Sequence, residues 1–192
     1  PSILSSALSD RGVYVHVKTY DFDPEKASEQ ISAWVDEIRP DLVIGESLGS
    51  LHAMRIPGVP HLFVSPALNA PFYFELMAWL VLIPGMTLLF DRIYKPREGD
   101  RQKLHFTFPV LRKYLRHRRL AFQTVQGPGR DDLYFAFIGR RDHYRRSSVV
   151  SINTRKKHFS DAFMIYDGTH FMEEEYVYEM LIPCICNILK IK

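Results

Sequence analysis

Ser47 sits between two glycines, each two residues away, in Gly45-Glu46-Ser47-Leu48-Gly49. A serine hydroxyl is a weak nucleophile and needs an oriented base, and the base in turn needs a partner that fixes its tautomer. The pentapeptide follows the apolar run Asp41 to Gly45 and opens an amphipathic stretch, so it reads as a sharp strand-to-helix turn. Small residues on either side of the serine let strand and helix pass close together. The turn then holds the hydroxyl clear of the backbone at a helix N-terminus, where developing negative charge is favoured.

The partners follow in chain order. The apolar run Leu133 to Ile138 leads into Gly139-Arg140-Arg141-Asp142-His143, and the run Ala162 to Tyr166 leads into Asp167-Gly168-Thr169-His170. An acid in the loop after one strand and a histidine in the loop after the next are placed to orient and deprotonate a serine on a third strand. Ser47, His170 and Asp142 are therefore expected as nucleophile, base and acid, with the Leu48 N–H as an oxyanion donor. Asp167, on the same loop as His170, is expected to brace that turn. His16, His52, His61, His105, His117 and His158 are scattered without metal-ligand spacing, and Cys184 and Cys186 read as reduced thiols on an apolar helix, so no metal site is expected.

The elements that must position these residues alternate. Short apolar runs at 13–17 (VYVHV), 41–45, 61–65, 133–138 and 162–166 read as strands, separated by amphipathic segments, as in an α/β fold with a mostly parallel sheet. Helices are expected over 1–10, from Asp23-Pro24 to Pro40, over 48–55, 101–123 and 145–157, and over 173–188 with a kink at Pro183. The chain has 192 residues, which suits one domain over 1–192; 46% are hydrophobic and 13% aromatic, which excludes a disordered chain. Its net charge of +3 is too small to imply a nucleic-acid partner. The apolar segment 72–90 is broken by Pro84-Gly85 and is too short to span a bilayer. It reads as a lid or pocket insert around 72–125, with Phe72, Tyr73 and Trp79 either as substrate-binding residues or as simple core packing, and Arg141 attracting an anionic group at the rim. The other basic clusters, at 112–119 and 155–157, read as solvated helix faces.

Together these motifs resemble the α/β-hydrolase superfamily, most closely small bacterial YqiA-like esterases. VIGESLGSLHA, VSPALNAP, GRRDHY and YDGTHF carry the resemblance, which runs from residue 13 onward. It implies a doubly wound, three-layer α/β/α fold and a serine hydrolase, while the reduced thiols of Cys184 and Cys186 point to a cytoplasmic setting. Such an enzyme would cleave an ester or thioester of a small-molecule acyl substrate without cofactor. A binding protein that kept the fold and lost the chemistry, or a peptidase or lactonase on the same triad, fits the same residues. The family also places a strand, ending in a loop that gives a second oxyanion donor, between the runs 13–17 and 41–45. The chain opens at Pro1 without it, so those two runs are expected not to be ladder neighbours, and residues are expected to precede Pro1 in the native protein.

Overall fold

A computed structural model describes residues 2–95, 102–125, 133–159 and 162–191. Four strands, β1 (Val43–Glu46), β2 (His61–Val64), β3 (Tyr134–Gly139) and β4 (Phe163–Tyr166), form an all-parallel sheet in the order β1-β2-β3-β4. Parallel strands need crossover segments, and here these are largely helical. Helix α1 (Ser2–Ser9) and α2 (Pro24–Ile38) precede the sheet, and α3 (Gly49–Ala53) joins β1 to β2. Helices α4 (Ala70–Leu80), α5 (Met86–Ile93) and α6 (Phe108–Val125) lie between β2 and β3, and α7 (Ile152–His158) between β3 and β4. The last segment runs from α8 (Glu174–Tyr176) through a π-helical turn (Val177–Leu181) into α9 (Ile182–Leu189). That turn lies just before Pro183, which has no N–H to give and crowds the carbonyl four residues back, within the turn.

Alternation along the strands sends their side chains to two cores. Phe63, Tyr134 and Ala136 meet Leu51, Phe122 and Phe159 on one face, while Leu62, Val64 and Phe137 meet Leu8, Leu181 and Ile185 on the other. Helices thus cover both faces, and β2 and β3 are buried as the continuous apolar runs imply.

Several expected elements differ. Residues 13–17 are not a strand; as expected, they do not pair with β1, which is the sheet's edge. A strand exists only where a neighbour accepts its hydrogen bonds, and instead a cavity of about 850 Å³, bordered by Val13, Val15, Trp34, Leu42 and Ile44, separates the two segments. The run 41–45 is accordingly not buried on both faces, since Ile44 is exposed. The helix expected over 145–157 is split into a 3₁₀ turn at His143–Arg145 and α7. Ser148 takes a left-handed φ of 60° between them, and the Ser151 side chain accepts from the Thr154 N–H to start α7 afresh. The basic stretch 101–123 becomes helical only at Phe108; residue 101, like 96–100 of the expected insert, lies outside the described residues.

Two of the basic clusters are structural rather than solvated. Lys113 pairs with Asp23 at 2.6 Å and Glu25 at 2.9 Å, Arg112 with Glu75, and Arg118 donates to the Leu68 carbonyl at 2.7 Å, so α6 is tied to α2 and α4. Arg155 is fully buried and donates to the carbonyls of Tyr134 at 2.6 Å and Ala162 at 3.1 Å, bridging the starts of β3 and β4.

Two buried histidines, His52 of α3 and His117 of α6, pack together. The His52 ring stacks near those of His117 (4.4 Å between centroids) and Tyr20 (4.7 Å), and Arg55 approaches His117 Nδ1 at 3.5 Å. Burial, with a smaller contribution from the nearby Arg55 guanidinium, pushes His52 down to about 3 and His117 down to about 4, so both are neutral in the folded protein. The unfolded chain protonates them near 6.5, so it binds more protons than the native state below that value, and stability falls with falling pH. Each should cost about 1.4 kcal/mol per pH unit below that point. We expect urea unfolding to show a loss of a few kcal/mol between about pH 7 and about pH 5, and His52→Leu to remove roughly half of that slope. A flat profile would contradict the buried neutral pair.

Candidate active site

The C-terminal ends of β1, β3 and β4 bring Ser47, Asp142 and His170 together. At the first, the chain turns so sharply that Ser47 adopts φ 50°, a left-handed conformation unusual for any residue but glycine. Three hydrogen bonds hold it there: its N–H donates to the Val64 carbonyl at 3.0 Å, and its carbonyl accepts from Ser50 N–H at 3.2 Å and Ala67 N–H at 3.0 Å. Gly45 is required by close approach, since a β-carbon there would lie 2.7 Å from the Ser50 Cα. The Ser50 hydroxyl closes the turn by donating to the Gly45 carbonyl at 3.0 Å.

The loops after β3 and β4 are locked to each other through backbone. Arg140 N–H donates to the Tyr166 carbonyl at 2.7 Å and Arg141 N–H to that of Gly168 at 2.9 Å. Gly139 passes so near the Thr169 carbonyl that any β-carbon would overlap it. Glu173 receives the Thr169 N–H at 3.0 Å, which fixes the residue just before His170.

In this setting His170 Nδ1 lies 2.8 Å from Asp142 Oδ2, and His170 Nε2 lies 2.8 Å from Ser47 Oγ. Both partners of the first contact are buried, His170 at 2% and Asp142 at 3% exposure. Burial alone would raise the Asp142 carboxyl, but the hydrogen bond and charge of His170 and the Tyr144 N–H (2.8 Å) outweigh it and hold the group below its ordinary value. An ionised carboxylate only accepts, so Nδ1 carries the proton, and Nε2 presents a lone pair to the serine hydroxyl. The arrangement can therefore take the Ser47 proton and stabilise the resulting imidazolium. The Leu48 N–H, next along the turn, makes no hydrogen bond to any described residue, so it remains available to an incoming oxygen.

The remaining expected site residues are spread more widely. Asp167 does not reach His170; its carbonyl accepts from Arg141 at 2.6 Å and Tyr176 at 3.0 Å, so it braces the loop. Arg141 is thereby engaged with Asp167, whose carboxylate lies 3.7 Å away, and also borders a cleft of about 470 Å³ with Arg140, Arg145 and Arg146. Phe72 and Tyr73 border a smaller cleft of about 310 Å³, and Trp79 lies on the outer side of α4 against Phe108 and Arg112. Among the described residues no three His, Cys, Asp or Glu side chains converge as metal ligands would.

Sequence reasoning missed Tyr144, which gives Asp142 its backbone N–H and sets its ring edge-on to His170 at 4.6 Å, and Phe171, whose ring stands 5.0 Å from the imidazole. Both neighbour a named residue, yet only the folded loops show that they wall the histidine. No protein-family model, curated protein or solved structure matches the chain.

The locked loops make a specific expectation. Gly139→Ala should separate the acid loop from the histidine loop, lengthening the contact between Asp142 and His170 and destabilising the fold by about 1–3 kcal/mol or more. Urea unfolding checks the stability, and the downfield proton resonance of the imidazole N–H reports the contact. An unchanged resonance and midpoint would show that the close approach is unimportant.

Proposed function

We propose that this chain is a serine hydrolase of carboxylic esters or thioesters, built on a doubly wound, three-layer α/β-hydrolase fold and acting in the cytoplasm. One observation carries the reading: Ser47, His170 and Asp142, from three separate strand ends, stand in a continuous hydrogen-bonded row with two 2.8 Å contacts. The parallel sheet, the left-handed serine turn and the unpartnered Leu48 N–H support it.

The chemistry follows from the donors and acceptors. Ser47 Oγ attacks the acyl carbon while its proton passes to His170 Nε2, and the carbonyl oxygen becomes an oxyanion facing the Leu48 N–H. Collapse of this intermediate breaks the bond to the alcohol or thiol, which leaves with the Nε2 proton. Water then attacks the acyl-serine, giving a proton to Nε2. The second collapse releases the acid, and that proton returns to Ser47 Oγ. Asp142 holds the tautomer throughout and stays ionised. Serine, imidazole and carboxylate, with one water consumed in deacylation, suffice for every step of this cycle, so the reading calls for no cofactor.

A fluorophosphonate probe should label the chain on Ser47, as seen by intact mass, and Ser47→Ala should abolish labelling. Absence of labelling on folded protein would reject the reading in favour of a binding role. Asp142→Asn should lower kcat on a p-nitrophenyl ester by about 10⁴ by spoiling the tautomer. Asp167→Asn should cost less than about tenfold, since Arg141 and Tyr176 use its backbone carbonyl. The reverse order of effects would reassign the acid.

A further inference from the structure

Helix α4 is apolar on both sides. Phe74, Met77 and Ala78 face inward to Phe22, Phe106 and Tyr114. The opposite side, Phe72, Tyr73, Leu76, Trp79 and Leu80, follows helical spacing and lies open, with Leu76 62% and Trp79 56% exposed. An ordinary surface helix puts polar groups there; one that is apolar all round is covered by something. Beyond the turn, Leu82 and Ile83, and on α5 Leu88 (74% exposed) and Ile93, are exposed as well.

The acids of these two helices are both engaged. The single acid of α4, Glu75, pairs with Arg112, and the single acid of α5, Asp91, is held by His105 at 2.7 Å and the Phe106 N–H at 2.9 Å. Arg92 and Lys95 are exposed and make no ion pair among the described residues. At the other end of the stripe, Phe72, Tyr73 and Leu76 border the 310 Å³ cleft, which shares Ser148 with the arginine cleft. Tyr73 donates to the Ser147 carbonyl and Asn69 to that of Ser148 at 2.9 Å, so helix stripe and arginine loop form one continuous surface. Arg140 and Arg146 are exposed there and likewise make no ion pair among the described residues.

We infer that this surface docks on an anionic lipid bilayer, with the α4–α5 stripe entering the acyl boundary and Arg140, Arg146, Arg92 and Lys95 meeting lipid phosphates. Aromatic rings and aliphatic side chains flanked by unpaired cations match the chemistry of that interface. A second copy of the chain fits less well, because a two-fold contact sets the same surface against itself and brings cation to cation. The substrate of the triad is then an ester carried by the lipid layer; that half of the inference rests on the hydrolase reading, while the docking does not.

The test uses the full chain with Ser47→Ala, so that no lipid is consumed, in flotation with vesicles of phosphatidylcholine alone or with phosphatidylglycerol added. Binding should need the anionic lipid and weaken with salt. Leu76→Glu/Leu88→Glu should abolish it, with far-UV circular dichroism confirming the fold. Arg140→Gln/Arg146→Gln, which leaves the apolar stripe intact, should weaken binding about fivefold per arginine removed. No flotation with anionic vesicles, or equal flotation of the double leucine variant, overturns the docking. So does a dimer by light scattering that the leucine variant splits, which would assign the stripe to a second copy. Flotation without fluorophosphonate labelling of the unsubstituted chain leaves the docking standing and rejects the hydrolase.

Discussion

The buried contact between Asp142 and His170 is what the rest of the site depends on. A carboxylate at 3% exposure is costly unless its charge is met. Here it is met by an imidazole N–H and a backbone N–H, both supplied by loops that leave adjacent parallel strands. Adjacent strands end about 4.8 Å apart, too close for two bulky turns. The chain meets that spacing with a glycine at the end of β3, backbone hydrogen bonds from Arg140 and Arg141 across to the next loop, and Glu173 anchoring Thr169. Ser47 enters from β1, two strands away from β3, and needs only to reach the far nitrogen of a ring already fixed.

This explains which parts of the molecule were legible in the sequence. The serine turn is encoded locally: Gly45 and Gly49 flank the serine, and an apolar strand leads in. The convergence of Asp142 and His170 was legible as a sequence order, strand then Asp then strand then His, because a parallel sheet puts every strand's outgoing loop on one edge. Elements whose state depends on a remote partner were not legible. VYVHV has the residues of a strand, yet a strand is a property of a pair, and residues 13–17 face a cavity instead of a neighbour. Arg155 looked like one of three solvated cations; only the fold shows two strand-end carbonyls waiting for its guanidinium. Composition counts charges without saying which are spent, and most of the cluster at 112–119 is taken up by Asp23, Glu25, Glu75 and the Leu68 carbonyl.

Subtracting those engaged cations is what gives the remaining ones meaning. Arg140 and Arg146 are placed by a loop whose backbone is committed to holding Asp142, so they stand at a fixed distance from the triad rather than on a free arm. The apolar stripe of α4 is tied to the same loop through Tyr73 and Asn69. Whatever meets that surface therefore acts on groups rigidly connected to Asp142.

Backbone strain falls along the same edge. Apart from residues at two helix ends, the described non-glycine residues with left-handed φ are Ser47 at the end of β1, Ser65 at the end of β2 and Ser148 beyond β3. Each such conformation costs on the order of 1–3 kcal/mol and persists only where the surroundings fix it. Ser47 is fixed by its bonds to Val64, Ser50 and Ala67, and Ser65 by donating to the Phe137 carbonyl at 2.8 Å. The two strained serines sit on neighbouring strands and are cross-linked, since the β2 residue just before Ser65 accepts from Ser47 and the turn after Ser65 returns Ala67 to the Ser47 carbonyl. Relaxing either turn would break bonds to the other. The hydroxyl of Ser47 is thus held toward His170 by the sheet edge as a whole.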